Sequence, residues 1–258
     1  IPHEASFFPK RPEEKPSSLE MKLTNIDYYE RTVSTMNKAQ ERLAERLFDE
    51  GVIKFGSFKL KLHEKNPEAP LSPIFFNLRT EDNPGKKGPL SPDLVSNIGR
   101  ILYSLTNESQ IQYQYIAGIP WAGDPFAEVV YHANRLFGGK AELLKLIKEE
   151  KEDGSRKIVG LADSDKIIRG TSVLLVDDLI TKADSKFESI KVMEDAGLKV
   201  ENIMVVINRE HGTNDLKRAG YSLHSIFKIL DLLNFYVNSN KISREKYNET
   251  IYYIYANK

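Results

Sequence analysis

Apolar residues recur at helical spacing from Ile26 to Phe48, through Tyr29, Val33, Met36, Leu43 and Leu47, and Gly51 stands where a helix could stop. Phe55 to Leu62 alternates apolar and polar positions like a half-buried strand, and Pro73 to Leu78 reads as a second strand, so the two predict a hairpin with a long tip. Asp82 to Pro89, with Asn83-Pro84-Gly85 and Gly88, is a loop by composition. Ser91-Pro92-Asp93 then supplies an N-cap, a first-turn proline and a first-turn acid, which predicts a helix running through Leu105.

Beyond this helix the pattern alternates: strand Tyr115 to Ile119, helix to Leu136, strand Leu143 to Ile147, strand Val173 to Val176, helix to Ala196, strand Ile203 to Ile207. Right-handed strand–helix–strand crossovers follow, and with them an α/β fold: a central parallel sheet with helices on both faces. The first 22 residues carry Pro2, Pro9, Pro12 and Pro16 among charges and read as an extended arm; residues 23–258 read as one domain. No internal repeat is visible.

Composition narrows the function. With 258 residues the chain can bury a sizeable core without a metal or disulfide. Its 37 Lys+Arg balance 37 Asp+Glu, which disfavours a nucleic-acid partner or an anionic membrane surface and fits a small, locally recognised ligand. The absence of cysteine excludes thiolate nucleophiles and Cys-ligated zinc and is compatible with a reducing compartment. No run is long enough for a membrane-spanning helix, and none reads as a signal peptide, so a soluble protein of cytoplasm or organelle is expected.

In open parallel sheets ligands bind at the carboxyl ends of strands. Val173-Leu-Leu-Val-Asp177-Asp178-Leu-Ile-Thr181 delivers two adjacent acids from a buried strand toward a turn and a helix whose N-terminal amides can hold an anion. The plainer reading is one capping acid and one solvated acid.

This segment resembles the ribose-phosphate signature of the type I phosphoribosyltransferases. The downstream run Val205-Val206-Ile-Asn208-Arg209-Glu-His-Gly212 is similar to the orotate phosphoribosyltransferases, notably the transferase domain of eukaryotic uridine monophosphate synthases. The resemblance runs from about Ile26 to Ile242 and implies the type I fold, with a hood from about residues 23–80 plus a C-terminal segment. It implies that Asp177 and Asp178 hold the ribose hydroxyls of phosphoribosyl pyrophosphate, and that Thr181, Lys182, Ala183, Asp184 and Ser185 cradle its 5′-phosphate. Arg209 would grip the orotate carboxylate, while Lys61, Phe75 and Phe76 on the hairpin contact the pyrimidine; two adjacent phenylalanines face opposite ways, so at least one can be core. Gly118-Ile-Pro120-Trp121 resembles the family's turn beside pyrophosphate.

Lys148 to Lys157, an ordinary charged loop by composition, aligns with the family's flexible catalytic loop. Lys148 and Lys151 match the lysines that reach a neighbouring subunit's site and neutralise departing pyrophosphate. The family's preceding arginine is Ile147 here, and its common His or Tyr is Asp153.

The implied ligands are orotate and phosphoribosyl pyrophosphate with Mg2+ carried on the latter, no protein side chain binding metal directly. The implied assembly is a homodimer, and the compartment cytoplasmic or, as a second choice, mitochondrial. One departure opens a second reading. The phosphate loop carries Ala183 where bare glycine amides close on phosphate, and Asp184 brings a negative charge toward a dianion. Asp184 could instead cap the following helix. A catalytically silent transferase fold in a larger assembly therefore stands beside the enzyme.

Overall fold

The computed structural model describes residues 36–64, 66–151, 156–181, 183–210 and 212–256. The arm and the first part of the predicted 26–48 helix lie outside them. What is described of that helix is α1 (Lys38–Asp49), whose Asn37 side chain accepts from the amides of Ala39 and Gln40 while Gln40 bonds back to Asn37 in a capping box. Gly51 follows with φ +71°, a conformation that suits glycine just past a helix end.

The hairpin forms, but its first strand is shorter than the alternation predicts. β1 (Ile53–Phe58) pairs antiparallel with β2 (Ser72–Phe76), and Lys61–Glu64 is a 3-10 turn, not strand. The His63 ring folds this turn back on itself, Nδ1 accepting from the Leu60 amide at 2.8 Å while Nε2 donates to the Ala69 carbonyl at 3.0 Å, so the chain leaves the ladder after Phe58.

α2 (Pro92–Glu108) starts where Ser91-Pro92-Asp93 predicts, with Ser91 Oγ accepting from the Leu94 amide. Then come β3 (Tyr115–Gly118), α3 (Asp124–Leu136), β4 (Glu142–Glu150), β5 (Arg156–Leu161), β6 (Ser172–Ile180), α4 (Asp184–Asp195), β7 (Lys199–Asn208), α5 (Thr213–Arg218), β8 (Ser222–Lys228), α6 (Ile229–Asn238) and α7 (Arg244–Ala256). The main sheet has the order β5-β4-β3-β6-β7-β8 and is parallel except for the β4–β5 pair. Alternation sorts its side chains: Ala117, Leu175 and Val205 share a buried cluster with Ile190 and Met193 of α4, while Ile116, Leu174 and Met204 are buried on the opposite face, where α2 and α3 lie.

Two strands outrun their expected ends. β6 continues through Asp177 and Asp178 because β7 keeps pairing beside it, Asp177 opposite Val205 and Ile180 opposite Asn208. β4 continues to Glu150 because β5, a strand the charge-rich composition hid, pairs back along it. The hairpin and α1 lie by the C-terminal elements: α7 contacts β2, Tyr236 of α6 donates to the Ala44 carbonyl of α1 at 2.8 Å, and Gln40 of α1 donates to the Ile226 carbonyl of β8 at 2.9 Å. Among the described residues no helix is long and apolar enough to cross a membrane.

Candidate functional site

The carboxyl ends of β3, β6 and β7 gather most of the expected residues. Asp177 and Asp178 are consecutive on β6, so the strand sends them to opposite faces. Asp177 points to the α4 side and is 4% exposed. Its Oδ2 accepts from Lys186 Nζ at 2.5 Å, and the same ammonium donates to the Leu179 carbonyl at 2.6 Å. Lys186 is itself 3% exposed. A buried lysine of this kind needs a partner, and here two oxygens of β6 supply it.

Sequence reasoning missed Lys186, although a signal was present. It stands on the buried stripe of α4 with Ser189, Ile190 and Met193, where a charge is out of place unless paired. Asp178 has no such cation of its own. Burial, followed by the nearby Asp177 charge, pushes its carboxyl up to about 7, against the pull of Lys186 and of the Leu179 amide that donates to it at 2.6 Å.

The segment 181–185, expected to cradle a phosphate, is described in part. Thr181 is half-buried, Ala183 is 4% exposed and precedes α4, Ser185 is half-buried, and Lys182 lies outside the described residues. Asp184 is exposed in the first turn of α4 and makes no capping hydrogen bond, so its carboxylate acts through charge near the helix N-terminus.

Arg209 leaves the end of β7, its amide held by the Ile180 carbonyl at 3.1 Å. Asn208 before it shapes the turn: its Oδ1 accepts from the Glu210 amide at 2.7 Å and the Thr213 hydroxyl at 2.9 Å. The Arg209 guanidinium lies 5.5 Å from the Phe76 ring centre and donates weakly to Thr181 Oγ1 at 3.5 Å. Among the described residues its Nε is buried without a hydrogen-bond partner, and burial draws its pKa down. Of the two phenylalanines, Phe76 meets Arg209, whereas Phe75 packs on Phe58 at 5.5 Å. Lys61 sits in the 3-10 turn beyond β1, and its side chain is not among those described.

The turn after β3 closes the other side. Gly123 lies so near β6 that a Cβ there would come within 2.3 Å of the Val176 carbonyl oxygen, which is why glycine stands at this position. The Pro120–Trp121 peptide is cis. Lys148 is not a loop residue: it belongs to β4, is half-buried, and donates to the Pro120 carbonyl at 2.6 Å. Burial lowers its pKa first of all, and Arg156 adds to that, while Asp177, Glu188 and Asp124 oppose it. Lys151 is exposed just past β4, and 152–155, Asp153 among them, lie outside the described residues. Asp124, in the first turn of α3, escaped sequence reasoning as well; burial and Glu128 push it up to about 6. It lines a groove of about 1420 Å³ with Trp121, Lys145 and Lys148.

Comparison with known proteins gives a consistent picture. No family model matches the chain. The uridine 5′-monophosphate synthase of Caenorhabditis elegans is 30% identical over 220 residues, which cover 84% of this chain and 40% of that protein. The orotate phosphoribosyltransferase of Sulfolobus acidocaldarius is 27% identical over 202 residues, covering 78% of this chain and 89% of that protein. Among solved structures, the UMP synthase of Leishmania donovani superposes with a TM-score of 0.62 at 22% identity, over 84% of this chain and 42% of that one. The chain thus spans about two fifths of the length of the synthases it matches.

Proposed function

From its kinship with the orotate phosphoribosyltransferases, in sequence and in fold, we propose that this protein transfers ribose 5-phosphate from phosphoribosyl pyrophosphate to orotate. The N1–C1′ bond forms as the bond from C1′ to the pyrophosphate oxygen breaks; pyrophosphate leaves with that electron pair, the proton given up by N1 passes to pyrophosphate or water, and orotidine monophosphate results. The observation that carries the reading is the Arg209 guanidinium, poised between Phe76 and Thr181 with a buried, unpaired Nε. A planar cation against an aromatic ring suits a planar aromatic carboxylate, which can accept two parallel hydrogen bonds.

In this reading Phe76 and Arg209 hold orotate, with Lys61 and Phe75 at the edge of its pocket. Asp178, with Asp177 beside it, faces the ribose and the positive charge that grows on it, so electrostatic positioning supplies the catalysis. The amides from Thr181 to Ser185, including Lys182, Ala183 and Asp184, take the 5′-phosphate. Lys148 and Lys151 serve the pyrophosphate. Among the described residues no cluster of three or more His, Asp or Glu side chains could hold a metal by itself, which fits a magnesium ion brought in on the substrate's own phosphate oxygens. Bound there, magnesium would neutralise pyrophosphate oxygens.

Further parts of the proposal are a homodimer, a cytoplasmic or organellar setting, and residues 23–80 with the C-terminal segment as a hood over the base. Purified protein given orotate, phosphoribosyl pyrophosphate and magnesium should form orotidine monophosphate, followed by chromatography. Absence of product at micromolar enzyme overturns the reading in favour of a silent subunit.

A further inference from the structure

The pyrophosphate side of the site lacks a cation where Ile147 stands, and β5 offers another. Arg156 opens β5 directly opposite Glu150 of β4, and Lys148 lies two residues before Glu150. In a pleated strand Lys148 and Glu150 share a face, and the partner of Glu150 shares it with them.

Both cations on the shared face converge on one side chain. The Arg156 guanidinium lies 4.9 Å from the Trp121 ring centre and Lys148 Nζ 5.3 Å from it. Trp121 is half-buried beside Gly85, where a Cβ would come within 2.8 Å of the indole. Asn83 Nδ2 donates to the Trp121 carbonyl at 3.3 Å. The indole is therefore a fixed platform at the end of β3, and stacking on it limits the freedom of an otherwise exposed arginine.

Arg156 is tied down at one nitrogen: its Nε donates to Glu150 Oε2 at 2.9 Å. Among the described residues the two terminal amines have no hydrogen-bond partner, Nη1 lying against Gly85, and they present to a ligand a fork that suits phosphate oxygens. Two like charges on one ring also repel each other, consistent with Arg156 lowering the Lys148 pKa. An anion between them would relieve that repulsion.

Resting on the transferase reading, we propose that Arg156 is a catalytic residue that contacts the departing pyrophosphate together with Lys148, standing in from the same chain for the cation that Ile147 lacks. The test uses the reverse reaction, orotidine monophosphate plus pyrophosphate, on the full chain. R156L should raise the KM for pyrophosphate roughly tenfold to a hundredfold, as loss of a hydrogen bond to a charged group does. The KM for orotidine monophosphate should stay within about twofold, and R156K should recover part of the loss. An unchanged pyrophosphate KM, or both KM values rising together as a merely structural arginine would cause, overturns the proposal. Should R156L fail to fold, R156Q takes its place. Calorimetric titration of the wild-type and variant chains with magnesium pyrophosphate separates the two layers. Wild-type protein without turnover sinks the transferase reading, while equal pyrophosphate binding by both chains sinks the role of Arg156.

Discussion

Two cations are drawn into the site from neighbouring elements, and they are held in opposite ways. Lys186 reaches back from α4 to Asp177 and the Leu179 carbonyl, and both partners belong to its own chain. Arg209, at the end of β7, has an aromatic ring beside it, a weak contact to Thr181 and a buried Nε without a partner. A satisfied buried charge contributes to the folded state only as one half of a pair, whereas an unsatisfied one is a cost that ligand binding can offset. The end at Lys186, where we propose that the phosphate binds, thus holds its own shape, and the end at Arg209, where we propose that the base binds, carries a cost that a ligand can offset.

Removing Lys186 should have the largest effect. Lys186→Met leaves Asp177 buried and unpaired, so stability should fall by roughly 3 to 5 kcal/mol. Urea unfolding reads this as a lower midpoint, and a change below about 1 kcal/mol would erase the contrast between the two ends. Lys186→Met combined with Asp177→Leu removes both charges and should recover most of the loss.

Arg209→Leu should behave the other way. Because the guanidinium is incompletely paired, its replacement by an apolar side chain should change stability by less than about 1 kcal/mol. Orotate affinity should fall roughly tenfold to a hundredfold, read by calorimetry. A large destabilisation with intact orotate binding would make Arg209 a structural residue like Lys186.

Proton linkage at Asp178 sharpens the comparison within the phosphate end itself. Its carboxyl titrates near 3.8 when unperturbed and at about 7 in the folded protein. Below the lower value both states hold the proton; as pH rises from there toward the upper value the unfolded state releases it first, so folding loses stability, and above it the whole penalty is present. Asp178→Asn should therefore match the wild type in melting temperature near the lower value and exceed it at alkaline pH, by roughly 1 to 3 kcal/mol in stability. An equal difference at every pH would show that the folded pKa is not raised.

The smallest effect is expected at Asp184, which is exposed at the start of α4. Asp184→Ser should alter stability by no more than about 0.5 kcal/mol. Loss of one negative charge near the phosphate loop should tighten phosphoribosyl pyrophosphate binding severalfold in low salt, and added salt should shrink the gain. An unaltered affinity would place the Asp184 charge away from the phosphate.

Local chemistry determined much of this protein. Ser91-Pro92-Asp93 started α2 and Gly51 followed the end of α1, because caps and stops act over a few residues. Apolar runs announced the parallel strands, and the two acids at the end of one of them were legible as a candidate site from the sequence alone. What lay beyond the sequence was what distant segments bring to one another. The alternation toward Leu62 could not reveal that His63 would fold the chain into a turn, nor could charged residues from Lys148 onward reveal a strand that forms only because β5 pairs with it. Adjacency left Phe75 and Phe76 equivalent, and packing assigned one to Phe58 and the other to Arg209. Adjacency likewise left Asp177 and Asp178 equivalent, until α4 set Lys186 against the first and burial beside that pair raised the pKa of the second. Periodicity and capping are properties of neighbours in the chain, but the partner of a buried charge is chosen by whichever element the fold lays across it.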